Sequence, residues 1–387
     1  MLELGHIFLG PYAGFLLAHA GAEVIKIEPL AGEHLRNRTA AAGSGIAFQI
    51  LNTNKRSLAI SLKHQEGRDL LLDLVRESDV LIENFAAETM PGFGLGADRL
   101  LQENPRLIYA SGSGYGRTGP YRSYPAMDLV VQAMSGVIAC TGFPDTPPVK
   151  AGVAICDFTG GLAMYAAITT ALIHRGVTGT GTKIDISMLE SVYPHLMSSI
   201  GPATLDEPPE ITRMGNRHQG LALAPYNVYP ALDGDVAILV ARDQQWALLT
   251  AEMQAAGIEV DPSFHTLGGR LADLDALDAL VASWTSRYSK EEVAKRLRKI
   301  GVPVGPVRTM REVIYDAHLE ERGMVCDLPT PDAGVIRAMR SPLRAENWPL
   351  LDLRPAPQLG ADSKAILGEV LGLETARIAE LQSNGVI

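Results

Sequence analysis

The stretch richest in potential chemistry is Gly152-Val-Ala-Ile-Cys-Asp157-Phe-Thr-Gly-Gly161, at the mouth of a long apolar helical run. A carboxylate there meets unpaired N–H groups and the positive end of the helix dipole, both of which favour its ionised form. Two roles fit Asp157: a helix N-cap, or a nucleophile that takes an acyl group from an activated carbonyl. Each glycine in a helix costs about 1 kcal/mol relative to alanine, so Gly160 and Gly161 point to close approach by a ligand or another backbone. Their N–H groups are candidate oxyanion donors. Asp128 precedes a second apolar helix, Asp128 to Gly136, and reads as its cap. Cys156 has no histidine near it in sequence to activate a thiolate and reads as a small buried hydrophobe. The histidines are scattered, without HxxxH or HExxH spacing, so no metal is assigned. Gly112-Ser-Gly-Tyr-Gly116 and Gly176-Val-Thr-Gly-Thr-Gly181 lack the Lys-Ser/Thr of a Walker loop, and the second reads as a helix-to-strand connection.

The elements that must position these residues alternate strand and helix, the rhythm of an α/β protein with a mostly parallel sheet. Strands are expected at 2–8, 23–27, 58–62, 80–83 and 107–111, with helices at 12–20, 64–77 and 99–104 and a Gly10-Pro11 turn. The carboxyl ends of such strands collect ligands, which directs attention to Asn84-Phe85 and to Gly112 through Tyr115. A Pro-, Glu- and Gly-rich stretch from Gly201 to Asn216, with Pro202, Pro208 and Pro209, shows neither strand nor helix period and reads as a linker. Beyond it, runs at 226–229 and 236–241 flank Asp233-Gly234 as a hairpin, 244–256 reads as a helix, and Ser289 caps another over 290–300. Short helices are expected at 363–372 and 375–382. The division is residues 1–200 as the first part of a large Rossmann-like domain, 201–220 as linker, 221–325 as a small α+β domain, and 326–387 as the return linker and the rest of the large domain.

Composition narrows the classes. A chain of 387 residues, 47% hydrophobic and 20% charged, can bury a sizeable interior and is long for one core. Thirty-four basic against 44 acidic side chains give a net charge of -10, which favours neither nucleic acid nor an anionic membrane surface. Three scattered cysteines form no disulfide framework and fit a reducing cytoplasm. The apolar stretch 6–22 lacks a basic leader and reads as mature structure, and the longest charge-free helical run, 160–173, is shorter than the roughly 20 residues of a membrane span.

Leu9-Gly-Pro-Tyr-Ala13, Gly21-Ala-Glu-Val-Ile-Lys-Ile-Glu-Pro29, Asn54-Lys-Arg-Ser57, Glu83-Asn-Phe85, Asp128 to Gly136, Asp157 to Gly161, Gly215-Asn-Arg217, Gly301-Val-Pro-Val-Gly-Pro306 and Gly385-Val-Ile387 occur in one order. Together they resemble the family III CoA-transferases, the formyl-CoA transferase and carnitine CoA-transferase group, along nearly the whole chain. The resemblance implies an interlocked homodimer of ring-like subunits, each a Rossmann-like domain with an inserted small domain. It implies a CoA thioester as substrate, with no permanently bound cofactor, and a carboxylic acid as acceptor. Asp157 matches the family's nucleophile. Phe8, Leu9, Arg36, Ile60, Lys63, Asn84, Phe85, Gly114 and Tyr115 match positions that contact CoA, with Arg36 and Lys63 as cations for its phosphates. Gly160, Gly161 and Gly220 match oxyanion or substrate positions.

The departures are specific. Formyl-CoA transferases carry glutamine at the place of Phe8 and a glycine-rich flap where this chain has His218-Gln-Gly-Leu-Ala222, so an acyl group larger or less polar than oxalate is expected. A phosphate-binding arginine of the family falls on Gly92. An acyl-CoA racemase on the same scaffold needs a histidine where this chain has Met127, which removes one of the two groups for proton transfer at the α carbon. A non-catalytic CoA-binding subunit would lack the nucleophile that Asp157 supplies.

Overall fold

The computed structural model describes residues 1–37, 44–207, 213–331, 334–348 and 350–387. Pro208 and Pro209 of the expected linker lie outside the described residues. Contacts divide the chain into one unit of Met1–Ser135, Gly152–Pro194 and Ile314–Ile387, and a second of Gly136–Ala151 and His195–Val313.

The first unit is α/β around a parallel sheet. Its strands are β1 (Leu2–Glu3), β2 (Ile25–Glu28), β3 (Arg56–Ala59), β4 (Val80–Glu83), β5 (Ile108–Ser113) and β6 (Thr182–Ser187). They lie side by side in the order β3-β2-β1-β4-β5-β6, every pair parallel. That is the order of doubly wound sheets, whose topological switch point lies beside β1. Leu2, Leu81, Ile27 and Leu58 of the strands pack with Leu71 and Leu74 from the helix Gln65–Arg76 and with Ile366, Leu381 and Val386 from the chain's end.

Two of the strands carry buried charges that pair with one another. Glu3 of β1 and Lys26 of β2 are both fully buried and paired at 3.1 Å, and Lys55 reaches the other Glu3 oxygen at 2.6 Å. Lys26 and Lys55 also donate to the carbonyls of Gly5 and Pro11, so the cluster fixes the backbone before and within the first turn of the helix Leu9–His19. Removing one member would leave an uncompensated buried charge.

The first expected strand, 2–8, is cut short at Glu3. After Leu4 the sheet's hydrogen bonds give way to a side chain: Asn84 accepts from the His6 N–H at 2.7 Å and donates to the His6 carbonyl at 3.0 Å. Ile7 then takes φ 63°, a left-handed conformation costly for a β-branched residue, and the helix Leu9–His19 begins. Gly10 and Pro11, expected as a turn, are inside its first turn, where proline's missing N–H costs nothing. The helix Ile155–Thr178 is longer than expected. Its 24 residues are long and apolar enough to cross a membrane, yet Gly160, Gly161, Met164, Ile168 and Ala171 form a buried stripe within the unit.

A second pair of strands, Val325–Thr330 against Gly334–Met339, was not foreseen in the return segment. The second unit holds the antiparallel strands Tyr226–Ala231, Gly234–Leu239 and Val304–Pro306, with the helices Asp243–Ala255, Leu274–Thr285 and Lys290–Lys299 packed through Trp246, Trp284 and Leu297. The hairpin occurs where expected, with Leu232 and Asp233 as its loop, and Ser289 caps its helix by accepting from the Glu292 N–H.

Candidate active site

Asp157 is the third residue of the helix Ile155–Thr178, whose N-cap is Ala154 with no side-chain cap. The capping alternative for Asp157 therefore does not describe it. The cap comes from elsewhere in the chain: one carboxylate oxygen of Asp128 accepts the N–H groups of Cys156 at 2.8 Å and Asp157 at 3.2 Å. Asp128 itself is the first residue of the helix Asp128–Ser135, so its expected role as a cap is real but serves the neighbouring helix. Its second oxygen accepts from Gln132 Nε2 at 2.6 Å, and Gln132 is 1% exposed.

Asp157 is 8% exposed, and among the described residues no hydrogen bond is donated to its carboxylate. Burial first, and the Asp128 charge second, push its pKa up to about 7. The site thus holds a carboxylate that is desolvated, has no cation acting on it among the described residues and has its pKa raised to about 7, which are properties of a group poised to react. Cys156 is buried beside it, and burial with the two carboxylates raises its thiol to about 12, so it stays a neutral thiol as the sequence suggested.

Gly160 and Gly161 serve close packing. A Cβ on Gly160 would come 2.8 Å from Leu9 Cδ1, and one on Gly161 would come 2.8 Å from the Leu9 carbonyl oxygen. As interior residues of the helix their N–H groups bond the carbonyls four residues back, so the expected oxyanion donors are not free there. Leu9 also fills the space left by Gly112, whose Cβ would lie 2.4 Å from it, and is 1% exposed. Its side chain is therefore packing. Phe8 stacks on Phe158 with ring centroids 5.5 Å apart, and Tyr12 meets Phe158 edge-on at 4.9 Å, which sets the start of the opening helix beside Asp157.

Several of the other expected contacts lie at the carboxyl ends of β1 to β4. A cavity of about 440 Å³ is lined by Ile60, Lys63 and Phe85 together with His6, Glu28 and Phe93. Lys63 is exposed at this rim. Phe85 packs edge-on against His6 at 5.0 Å, and burial lowers the His6 imidazole to about 4, keeping it neutral. Arg36 and Asn84 are already engaged. The Arg36 guanidinium holds Glu28 with both arms, at 2.9 and 2.6 Å, and donates to the Pro357 carbonyl, while both ends of the Asn84 amide hold His6. Gly114 is buried where a Cβ would meet Ala126 at 2.2 Å, and Tyr115 clusters with Tyr121 and Tyr124 at 5.8 and 6.2 Å. Gly220 belongs to the second unit, beside the His218 ring. Among the described residues no group of three His, Cys, Asp or Glu could hold a metal.

The family model of CoA-transferase family III matches residues 1–363. The chain belongs to that family. It is a CoA-transferase, and CoA thioesters and carboxylic acids are its substrates. This transferase is 34% identical over 383 residues to the succinate–glutarate CoA-transferase of Agrobacterium fabrum, covering 97% of this chain and 95% of that one. It is 32% identical over 404 residues to the formyl-CoA:oxalate CoA-transferase of Streptomyces coelicolor, covering 100% and 98%. The structure of a CAIB/BAIF family protein from Brucella suis superposes with a TM-score of 0.83 at 34% identity over 95% of this chain and 97% of that chain.

Two features escaped sequence reasoning. The Asp128 cap joins residues 28 apart, which no local pattern marks. The Glu3–Lys26–Lys55 cluster did leave a trace, since Glu3 and Lys26 are charges set inside otherwise apolar strand runs.

Proposed function

We propose that this transferase works through a covalent intermediate on Asp157. The Asp157 carboxylate attacks the thioester carbonyl, the C–S bond breaks, and a mixed anhydride forms with release of the CoA thiolate. The thiolate attacks the aspartyl carbonyl, the donor acid leaves, and Asp157 carries CoA as a thioester. The acceptor carboxylate attacks that aspartyl carbonyl and expels the thiolate. The thiolate then attacks the acceptor's acyl carbonyl, completing the new thioester and freeing Asp157. One thioester replaces another, so the protein's work is positioning and exclusion of water. The observation that carries this reading is the buried Asp157 carboxylate, without a donor or cation among the described residues and with its pKa near 7.

The CoA nucleotide is assigned to the cavity of His6, Ile60, Lys63 and Phe85, with Lys63 as the phosphate cation and Arg36 in reserve while it holds Glu28. Phe8, Leu9, Asn84, Gly114 and Tyr115 flank the path from there. The acids are dicarboxylates longer than oxalate: one relative is named for succinate and glutarate, and Phe8 stacked on Phe158 leaves an apolar entrance. The assembly is an interlocked homodimer of large domains with inserted small domains. The apolar face of the long helix supports a covering copy, since Leu162, Ile173 and Val177 are 45%, 74% and 86% exposed.

Incubation with labelled CoA thioesters and a panel of free acids tests the reading. Exchange of CoA onto glutarate or succinate in preference to oxalate supports it. Deuterium entry at the α carbon without exchange indicates a racemase, and binding alone indicates a non-catalytic subunit; either result defeats it.

A further inference from the structure

Asp128 stands where the first turn of the nucleophile's helix needs an acceptor and where a second charge has the most effect. Its carboxylate is held on both sides. One oxygen takes the Cys156 and Asp157 N–H groups at 2.8 and 3.2 Å, and the other takes Gln132 Nε2 at 2.6 Å. Gln132, nearly fully buried, also donates to the Val153 carbonyl at 3.2 Å, just before the helix begins. The segment entering the Asp157 helix is thus tied to the helix Asp128–Ser135 by three bonds from two side chains. An aspartate is a costly choice for this job. Asparagine caps as well, and a second negative charge beside a buried carboxylate opposes its ionisation.

We propose that Asp128 is the positioning residue of this reaction: its shared oxygen fixes the first turn that carries Asp157, and its charge governs how reactive the Asp157 carboxylate is. The inference rests on Asp157 being the nucleophile. A carboxylate with a raised proton affinity is a stronger nucleophile once ionised, and Asp128 adds to the basicity that burial supplies, without touching the substrate. Cys156 of the same helix remains a neutral thiol and so puts no charge on Asp157. Asp128 is the charged group that acts on it.

The test compares wild type, Asp128→Asn and Asp128→Ala in single turnovers with an acyl-CoA and hydroxylamine, reading the Asp157 hydroxamate by peptide mass as a function of pH. Asparagine keeps the shared acceptor and removes the charge. The expected result is a labelling midpoint near pH 7 in wild type, moved down by about 1 unit in Asp128→Asn, with a lower plateau above it. Asp128→Ala, which also loses the cap, is expected to label about 5- to 10-fold more slowly at every pH. Labelling of Asp157 in wild type with an unchanged midpoint and plateau in Asp128→Asn would overturn this proposal alone and leave Asp128 a helix cap. No Asp157 adduct in wild type would overturn the nucleophile reading and this proposal with it.

Discussion

At the scale of single residues, reactivity and stability pull Asp157 in opposite directions. Its folded pKa of about 7 lies above the ordinary 3.8, so the folded state holds a proton that the unfolded chain has released between those values. The stability that goes with the neutral form is fully present below about pH 4 and is lost as pH rises through 7. Asp157→Asn removes this loss. The variant is expected to match wild type near pH 4 and to exceed it by about 2 to 4 kcal/mol at pH 8, read from denaturant unfolding at both values. A variant no more stable than wild type at pH 8 would show that Asp157 ionises without cost. The sequence displayed Asp157 plainly, because an acid before two glycines at a helix mouth is a local pattern. It did not display Arg36 as the partner of Glu28, nor both ends of Asn84 as spent on His6, because the first pairing depends on how the chain turns back after β2 and the second on how β1 and β4 end beside one another. A residue type in a matching position says which chemistry is available, and only the surroundings say whether the group is already engaged.

At the scale of elements, the site is made by the approach of two helices. The opening helix Leu9–His19 and the helix Ile155–Thr178 meet where Gly160 and Gly161 leave room for Leu9. The contact at Gly161 is with a backbone oxygen, which cannot rotate aside. Gly161→Ala is expected to cost about 1 to 3 kcal/mol in thermal or denaturant unfolding and to lower turnover, because the start of the opening helix must shift from Asp157. Full stability in that variant would remove the packing account of the glycine pair. The alternation of strands and helices was legible, and β4 (Val80–Glu83) coincides with its expected bounds because apolar residues fill it between polar ends. The early end of β1 was not, since the apolar pattern continues through Ile7 and Phe8 while a distant amide takes the backbone bonds. The hairpin Val325–Thr330 with Gly334–Met339 also escaped, its strands carrying Asp327 and Arg337 opposite one another where a linker was expected.

At the scale of the whole molecule, the proposed function has a protein of net charge -10 meet an anionic substrate through local features: a cavity at the ends of parallel strands, an exposed lysine at its rim, and a helix start that holds Asp157. The family was readable from sequence because its motifs recur in one order along nearly the whole chain. Threading of two rings would make the dimer persist on dilution, so sedimentation at nanomolar concentration is expected to give one dimeric species, and a monomer there would count against interlocking. The central claim is that acyl transfer passes through Asp157. It is tested most directly by incubating the enzyme with an acyl-CoA and hydroxylamine and mapping the adduct, alongside turnover of Asp157→Asn. The account expects the hydroxamate on Asp157 and no transfer by the asparagine variant while CoA binding persists. An adduct on Cys156, or on no residue, together with an active Asp157→Asn enzyme, would contradict it.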